Sequence, residues 1–365
     1  MTHQRIQWKN LPAASLQNDK HLLLHWDRLN AAHGDLPFLA ADAIASALKI
    51  LGDGNERLLV GFEGTSVVAM FVLRRNGRVR WETFQPSQLP LGAWVAASNF
   101  VLLDLARSLM RGPLGLCLGL SITQVDPRIS ARTEDTPDSQ CTDYIDTGWI
   151  DIGDSFEDYW SARGKNLRAN MRKQRVKLEA EGVKATMQVL HELADMAPAV
   201  ARYGVIESSG WKAQEGTAIH PDNAQGRYYR ELLEHASRRG EALVYQYLFD
   251  DRVVAMNLCL VRQGTLIVLK TTYDESIQGY SPAFLLREAE LQQFHKDGQI
   301  KHLEYFGRLM DWHTKWTDNK RTLYHLTVYR WPFLKQLAEA RRRKAKGAEL
   351  AVVAQELVAS TTEPS

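Results

Sequence analysis

The sequence predicts a mixed α+β fold made of two similar halves, each a mostly antiparallel sheet flanked by helices. Two observations lead to this prediction. An order of three strands, a loop with proline, a helix and a further strand occurs twice along the 365 residues. The tetrapeptide Val-Val-Ala-Met also occurs twice, at residues 67–70 and 253–256, where it opens the middle strand of each set. An internal duplication explains both observations better than chance.

In the first half, hydrophobic periodicity and turn residues define the elements. Asn76-Gly77, between two strand-like runs, is a strong hairpin signal. A long helix expected at residues 93–111 is apolar nearly all round, so other parts of the protein must cover it on most sides. The expected elements are a helical region, three strands, a long helix closed by Gly112-Pro113 and a further strand, at residues 22–51, 57–62, 66–73, 78–84, 93–111 and 114–120.

A polar, loop-like stretch at residues 126–146 separates the halves, and Ser155 with Asp158 then begins a helical region as a capping box. This region is strongly basic. Its cations either form a solvated helix face or a basic wall that attracts an anionic ligand. They are Arg163, Lys165, Arg168, Arg172, Lys173, Arg175 and Lys177.

The second half repeats the element order with clearer boundaries. A strand at residues 265–272 is followed by a polar loop and by Ser281-Pro282, where the serine hydroxyl is expected to cap the helix and proline occupies its first turn. Gly298 ends that helix. The expected strands are residues 243–249, 252–261, 265–272 and 301–306, and the helix is 282–297.

A strand that ends in a glycine-containing loop and leads directly into a helix places unpaired backbone N–H groups at one point. The helix dipole favours negative charge there, so the stretch at residues 274–283 is a candidate anion site. A strand, turn and helix without any ligand fits the same pattern. The basic helical region and the duplication favour the anion site.

Composition and cysteine usage exclude several classes of protein. A hydrophobic fraction of 45%, a charged fraction of 24% and a net charge of +2 are typical of an ordinary globular protein. Cys117 and Cys259 lie in apolar runs and, with Cys141, show no metal-ligand spacing, which favours buried thiols in a reducing compartment. No signal peptide or apolar run of membrane-spanning length is evident, so we expect a cytoplasmic protein without a metal.

Familiar catalytic signatures are absent. The sequence has no nucleotide P-loop, no nucleophile elbow of the G-x-S-x-G type and no H-E-x-x-H metal helix. Gly52-Asp53-Gly54 does not continue into a dinucleotide fingerprint. A lone histidine such as His313 is more often structural than catalytic.

An ordered set of short motifs resembles a known family. Three antiparallel strands, a phosphate-facing loop that opens a helix and one more strand are the core order of the GNAT acyltransferase superfamily. The set is similar to the cellulose-biosynthesis-type (CelD-like) acetyltransferases, which are related to the FemAB peptidyltransferases. The motifs are Lys165-Asn166-Leu167-Arg168, Asn170, Arg172, Glu207, Trp211-Lys212, 251–255, Tyr273-Asp274, 280–283 and Lys315-Trp316.

The resemblance covers residues 155–316 well and the first half only by element order. It implies tandem GNAT-like domains at residues 1–150, non-catalytic, and 151–335, catalytic, followed by a basic helical extension and a disordered tail at 336–365. Ala283 departs from the glycine that the family often has after Ser-Pro, but it is small enough for a pyrophosphate to approach closely. The first-half loop at 86–92 has two prolines, which lack amides for an anion, so we expect the second half to be active.

The resemblance implies acyl transfer from acetyl-CoA or another acyl-CoA to an amine or hydroxyl. The strand at 265–272 would pair with the pantetheine arm, the following loop would hold the pyrophosphate, and a backbone N–H near the strand end would polarise the thioester. Trp211, Lys212, Lys315 and Trp316 would line the acceptor pocket. The implied cofactor-binding residues are Thr271, Thr272, Tyr273, Gln278, Gly279, Tyr280, Ser281, Pro282 and Ala283.

The acid and base are less defined than the cofactor site. Glu207 is the first candidate for the base, before Asp274 and Glu304, and Tyr305 or Tyr280 would be the acid. Each carboxylate could instead cap a helix or form an ion pair, and each tyrosine could instead be a packing residue with its hydroxyl hydrogen-bonded.

Three functions remain open. The first is an acyl-CoA-dependent acyltransferase acting on a sugar, a polysaccharide precursor or another small acceptor. The second is a FemAB-like aminoacyltransferase that uses aminoacyl-tRNA, in which the basic helix would contact nucleic acid. The third is a non-catalytic binding module of an envelope-polysaccharide system.

Overall fold

A computed structural model describes residues 6–208 and 219–344. Within these residues the chain forms one large mixed sheet with helices on both faces, which confirms the predicted fold class. The strands are β1 Gln7–Pro12, β2 Arg57–Glu63, β3 Ser66–Arg75, β4 Arg80–Thr83, β5 Trp94–Ala96, β6 Gly119–Val125, β7 Ser139–Asp151, β8 Ala185–Leu190, β9 Ala242–Phe249, β10 Arg252–Arg262, β11 Thr265–Tyr273, β12 His302–Glu304 and β13 Lys320–Tyr329.

The helices cover both faces of this sheet. Short 3₁₀ helices occur at Pro37–Leu39 and Glu275–Tyr280. Residues 332–344 are also helical. The α-helices are α1 Ser15–Asn18, α2 Lys20–Ala32, α3 Ala41–Leu51, α4 Leu102–Arg111, α5 Phe156–Ser161, α6 Lys165–Ala180, α7 Leu193–Ser208, α8 Ala224–Ser237, α9 Pro282–Asp297 and α10 Asp311–Thr314.

The strand order shows the predicted duplication. The sheet runs β1-β2-β3-β4-β6-β13-β7-β12-β11-β10-β9-β8, and β5 pairs separately with β3. In each half the neighbouring strands are antiparallel except for one parallel pair, β4 with β6 in the first half and β11 with β12 in the second. The two halves therefore have matching topologies that face each other across β13 and β7.

The two central strands are exchanged between the halves. Strand β7 follows β6 in the chain but pairs with β12 and β13, while β13, after the second half, pairs with β6 and β7. The buried core reflects this exchange. One hydrophobic cluster runs beneath both halves and includes α2, α3, α7 and α8, whereas α4 and the pair α6 and α9 cover two separate clusters on the other face.

A buried ion network joins the halves at the exchanged strands. The guanidinium of Arg321, on β13, donates to both carboxylate oxygens of Asp126, after β6, at 2.7–3.1 Å. It also donates to both oxygens of Glu304, on β12, at 2.9 and 3.1 Å. Arg128 donates to Glu304 at 2.5 Å. The network offsets the cost of burying Asp126 and Glu304 because each carboxylate has several charged donors.

The second-half elements follow the sequence predictions closely. Helix α9 has the predicted bounds, and Gly298 ends it in the left-handed conformation at φ 65°. In the hairpin between β10 and β11, Gln263 and Gly264 both have positive φ, at 48° and 75°. This combination matches the twist of the flanking strands.

The first-half predictions were less accurate. The long helix expected at residues 93–111 begins only at Leu102, because residues 94–96 pair with β3 as strand β5. The strand expected at 114–120 lies at Gly119–Val125. The loop expected at 126–146 contains the first part of β7, which is polar but gains its backbone hydrogen bonds from the distant strand β13.

We expect Arg321→Met to lower the free energy of unfolding by about 3 kcal/mol, because it leaves two buried carboxylates without their shared cation. Urea denaturation followed by circular dichroism measures the change. Arg74→Met, which breaks a surface pair with Glu82, should cost less than about 1 kcal/mol. Equal effects of the two substitutions would show that the network does not hold the halves together.

Candidate active site at the separated strands

Strands β11 and β12 separate after a short parallel pairing. They pair only at Thr265 with His302, Leu266 with Leu303 and Ile267 with Glu304. Strand β11 then continues to Tyr273, whereas β12 ends at Glu304. The backbone groups of β11 on that side therefore have no strand partner within the described residues, and a ligand can hydrogen-bond to them.

A β-bulge lies in β11 where the strands separate. Leu258 of β10 is opposite Lys270, and the next residue, Cys259, is opposite Val268, so Leu269 is an extra residue on β11. A bulge redirects the side chains that follow it. Thr271 and Tyr273 consequently line one cavity, while Lys270 approaches Glu207 on α7.

A cavity of about 380 Å³ lies between β11, the start of α9 and the segment around α10. We call it the donor cavity. Six of the nine residues predicted to bind the cofactor line it, while Thr272, Gly279 and Tyr280 do not. Its lining residues are Thr271, Tyr273, Gln278, Ser281, Pro282, Ala283, Phe284, Arg287, Trp312 and Trp316.

The start of α9 is not capped by a side chain. Ser281 was expected to cap the helix, but its backbone is left-handed, with φ 53°, and its side chain makes no capping hydrogen bond. Its hydroxyl instead accepts a hydrogen bond from the side-chain amide of Asn170 at 3.3 Å. The first turn of α9 contains no acidic residue. Pro282 has no N–H, and the Phe284 and Leu285 amides donate to the Ser281 carbonyl, so the Ala283 amide and the helix dipole are what this helix start offers an anion.

The basic helix α6 lies beside this helix start. Besides the contact of Asn170 with Ser281, the Lys177 ammonium lies 3.6 Å from the centre of the Tyr280 ring. The Tyr280 hydroxyl donates to Glu181 at 2.9 Å. Tyr280 therefore holds the loop against α6, and the exposed cations of this helix add positive potential near the start of α9.

A second cavity, of about 420 Å³, lies between the two halves. We call it the interhalf cavity. Val268 and Leu269, at the bulge, and Tyr305, after β12, lie on its second-half side. Its lining residues are Gln85, Ser87, Gln88, Leu89, Pro90, Gln124, Tyr144, Ile145, Tyr229, Val268, Leu269, Tyr305, Phe306, Gly307 and Arg308.

Two residues with strained backbones line the interhalf cavity at matching places in the duplication. Gln124, at the end of β6, has φ 48°, and Phe306, just after β12, has φ 52°. A side-chain hydrogen bond from Gln124 to Gln85, at 2.9 Å, fixes the first of these. Such strain is uncommon in residues other than glycine, and it often occurs at binding sites.

Glu207, the first candidate for the base, is buried at the end of α7. Its carboxylate accepts a hydrogen bond from the backbone of Ile219 at 2.8 Å and lies 3.9 Å from the Lys270 ammonium. That ammonium is 5.8 Å from the ring centre of Tyr229, which lines the interhalf cavity. Glu207 itself does not line the cavity, so it reaches the cavity wall through Lys270 and Tyr229.

The other two candidate carboxylates are held in ion pairs with arginines. Asp274 pairs with Arg252 and accepts hydrogen bonds from the Ser276 hydroxyl and amide. Burial would raise the pKa of Asp274, but the hydrogen bonds from Ser276 and the charge of Arg252 lower it overall. Glu304 lies in the Arg321 network. Both carboxylates have clear structural partners.

Tyr305, the first candidate for the acid, is buried, and within the described residues its hydroxyl has no hydrogen-bond partner. Burial raises the pKa of Tyr305 despite the nearby charge of Arg287, so the phenol keeps its proton at neutral pH. Its ring packs edge-on against His313 with centroids 4.4 Å apart. Tyr305 can therefore offer a proton or a hydrogen bond to a ligand.

The predicted pocket residues have different positions. Trp316 is buried in the donor cavity and stacks on Trp160, whereas the Lys315 ammonium lies 5.2 Å from the Phe284 ring centre. Trp211 and Lys212 lie outside the described residues. The same holds for residues 345–365 of the predicted extension.

Sequence reasoning missed several residues that line the two cavities. Phe284 and Arg287 are three residues apart on α9, and this spacing after the Ser-Pro pair could have indicated one helix face. Trp312 lies next to His313, which was considered structural. No local signal indicated Gln85 or Gln124, because the fold brings them to the second half from distant positions.

The described ranges, 6–208 and 219–344, show neither a metal site nor a membrane-spanning helix. They contain no group of His, Cys, Asp and Glu side chains arranged to hold a metal ion. They also contain no helix that is both long and apolar enough to span a membrane. A larger groove of about 740 Å³ lies against α4 and β1, and it shares no residue with either cavity.

The comparisons with known proteins agree with this architecture. Residues 165–312 match a family model described as an acetyltransferase (GNAT) domain. The match covers less than half of the chain, and it makes the second half similar to a GNAT acetyltransferase domain. The match is to the second half, which contains the donor cavity. Among curated proteins, none matches this chain.

Solved structures show the same fold at low sequence identity. The C-terminal domain (DUF2156) of a putative lysylphosphatidylglycerol synthetase from Agrobacterium fabrum is 14% identical, with 83% of this chain and 92% of that chain covered and a TM-score of 0.53. A conserved protein of unknown function from Bacteroides thetaiotaomicron VPI-5482 is 12% identical, with 89% and 99% covered and a TM-score of 0.51. FemX is 8% identical, with 77% and 90% covered and a TM-score of 0.48, which supports no inference.

His313 should make the protein acid-sensitive. Burial, with a smaller contribution from Arg287, lowers the pKa of His313 from 6.5 to about 4. Below pH 6.5 the unfolded chain therefore binds a proton that the folded protein excludes, and stability falls as the pH drops towards 4. Between pH 7 and pH 4, wild type should lose about 3 kcal/mol more than His313→Gln. Glutamine can still accept the hydrogen bond from the Met310 amide.

Urea denaturation at several pH values measures this difference. His33, whose pKa burial lowers to about 3, contributes to the acid loss in both proteins and cancels in the comparison. Parallel pH profiles for the two proteins would contradict the prediction.

Proposed function

We propose that this protein is an acyl-CoA-dependent N- or O-acyltransferase whose acceptor is a sugar or a polysaccharide precursor. The observation that supports it is the separation of β11 and β12, with one cavity at the start of α9 and another between the halves. A thioester in the donor cavity would meet an acceptor from the interhalf cavity at the point of separation. Residues of the loop, bulge and α9 would hold the donor.

The donor cavity suits a molecule with a diphosphate and an extended amide arm. The diphosphate would bind the Ala283 amide at the start of α9, with positive potential added by α6. The arm would lie along the unpaired backbone of β11 at Thr271 and Tyr273 and pair with it as an added strand. Acetyl-CoA and longer acyl-CoAs have these features.

The interhalf cavity suits a hydrogen-bonding acceptor. Glutamine, serine and tyrosine side chains line it together with apolar ones, and Arg308 is the only charged residue among its described lining residues. Amide and hydroxyl groups can both donate and accept hydrogen bonds, as a sugar hydroxyl or amine requires. The first half would thus contribute to acceptor binding although it has no donor site of its own.

The second half remains the proposed catalytic half. The reason is the charge at the start of each helix and not, as expected, the prolines in the first-half loop. The first-half helix start follows residues 97–101 rather than the proline-containing loop at 86–92. Helix α4 has Asp104 in its first turn, and this charge repels an anion, whereas α9 has no acidic residue there. An acyl-CoA diphosphate would therefore favour α9.

The proposed reaction moves one acyl group and one proton. The acceptor's nitrogen or oxygen attacks the thioester carbonyl and loses its proton to Lys270, which in the same step gives one of its ammonium protons to Glu207, 3.9 Å away. A backbone N–H of β11 near the bulge stabilises the oxyanion. The thiolate leaves as the intermediate collapses, and the Tyr305 phenol protonates it.

A FemAB-like reaction with aminoacyl-tRNA is the second candidate. The observation that favours it is the row of exposed cations on α6, next to the predicted phosphate loop, which could contact an RNA backbone. A non-catalytic binding module would use the same cavities without chemistry. The free, buried thiols of Cys117 and Cys259 support the cytoplasm as the location for any of these functions.

Thermal-shift measurements with acetyl-CoA, longer acyl-CoAs, CoA and tRNA test the proposal. A ligand that binds only the folded state raises the melting temperature. We expect the CoA compounds to stabilise the protein, and Gly279→Asp to weaken their binding about tenfold or more, because it adds negative charge beside the diphosphate. The new side chain has open space, so the fold should persist.

Gly153→Asp is the matched control. This glycine also has open space, and it lines neither cavity. CoA binding that is equal in both variants would show that the phosphate site is misplaced. Stabilisation by tRNA alone would favour the second candidate, and no stabilisation by any ligand would favour the binding module.

Glu207→Gln should lower kcat about a hundredfold or more while leaving CoA binding intact, because glutamine cannot take up the acceptor's proton. Glutamine can still accept the hydrogen bond from the Ile219 amide, so residue 219 remains hydrogen-bonded to α7. Release of the free CoA thiol from acetyl-CoA, with a panel of sugars and amino sugars, measures the rate. An unchanged rate would assign Glu207 a structural role only.

A further inference from the structure

Two buried polar groups without partners lie beside the donor cavity. Arg287 on α9 lines this cavity and is only 2% exposed. Within the described residues, its Nε atom and the Tyr305 hydroxyl have no hydrogen-bond partner, while its Nη1 atom faces one oxygen of Glu290 in an ion pair. Leaving such groups unsatisfied costs free energy. The two groups therefore indicate a missing ligand.

Arg287 is charged in this position. Glu290 lies 2.7 Å from its Nη1 atom, although the angle does not make a hydrogen bond, and the charge of Glu290 raises the pKa of Arg287 against the effect of burial. Glu290 also accepts a hydrogen bond from the side-chain amide of Asn257 at 2.7 Å. Burial raises the pKa of Glu290 against the lowering effect of the Arg287 charge.

The surroundings of Arg287 favour an anion as its partner. The aromatic rings of Phe284, Trp312 and Trp316 line the same cavity, and no carboxylate is among its described lining residues. Charge interactions are strong in such a site because little water screens them. A guanidinium with free N–H groups binds a carboxylate through two parallel hydrogen bonds.

The position of the guanidinium identifies which part of the donor it would meet. Its central carbon lies 5.5 Å from the ring centre of Tyr305, which directly follows the last paired residue of β12. This is the point where β11 and β12 separate, so the guanidinium lies near the reacting end of the donor and not at its diphosphate.

We propose that Arg287 binds a carboxylate at the reacting end, so that the preferred donor is the CoA monothioester of a dicarboxylic acid. This inference rests on the proposed acyl-CoA function. A separate molecule with a carboxylate, such as the acceptor, could supply the same group, and the experiment distinguishes the two sources.

Calorimetric titration of the full-length protein with succinyl-CoA and butyryl-CoA tests the proposal. The acyl groups have equal chain length and differ by a terminal carboxylate or methyl group. Wild type should bind succinyl-CoA about tenfold or more tightly. Arg287→Met should lose this preference and still bind butyryl-CoA. Arg175→Met is the control: it breaks the ion pair between Arg175 on α6 and Glu288, the neighbour of Arg287 on α9, and should keep the preference.

The remaining outcomes are distinct. Equal binding of both compounds by wild type overturns the donor assignment, and it needs no variant that might unfold. If free succinate then binds to the complex with CoA, and Arg287→Met abolishes this binding, the carboxylate comes from a separate molecule. If free succinate does not bind either, Arg287 does not form a carboxylate site, although the acyltransferase proposal stands. If no CoA compound binds, the proposed function itself fails.

Discussion

The parting of β11 and β12 is the constraint on which the rest of the site depends. Strand β12 has only three residues, and it is held on its other side by β7 and by the Arg321 network through Glu304. If β12 were longer, its backbone would pair with β11 and close the space for a ligand. Fixing β12 from the far side keeps the strands apart without any ligand present.

The exchanged strands make the two halves depend on each other. Because β13 lies beside β6 and β7 beside β12, the last strand of each half completes the sheet at the junction. The proposed division at residue 150 falls at the end of β7, which belongs to the first half in sequence and pairs with the second. That division remains a prediction, and cutting there would remove strand partners from both halves.

The sequence predicted local features well and long-range features poorly. The bounds of α9 follow from Pro282 and Gly298, and the turn at Gly264 follows from its backbone freedom, because both depend on neighbouring residues. Strand β5 and the first part of β7 were missed because pairing with distant strands, not their own periodicity, stabilises them. Ser281 was expected to cap α9, but the loop forces it into a left-handed conformation.

The same distinction applies to the candidate site. Six predicted residues of one strand, loop and helix line the donor cavity, because strand, turn and helix chemistry is local. Gln85 and Gln124 could not be placed, since only the strand exchange brings the first half to β11. The charge and missing partners of Arg287 also depend on packing, which composition does not show.

The duplication retained strain in both halves but the anion site in only one. Gln124 and Phe306 have the same left-handed backbone at matching strand ends, so this conformation belongs to the shared fold. Asp104 at the start of α4, by contrast, opposes anion binding, and β5 fills the edge of β3. In the proposed function, a first half without a donor site would still present Gln85 and Gln124 to the reaction centre of the second half. The interhalf cavity is thus the consequence of two equivalent folds with unequal chemistry.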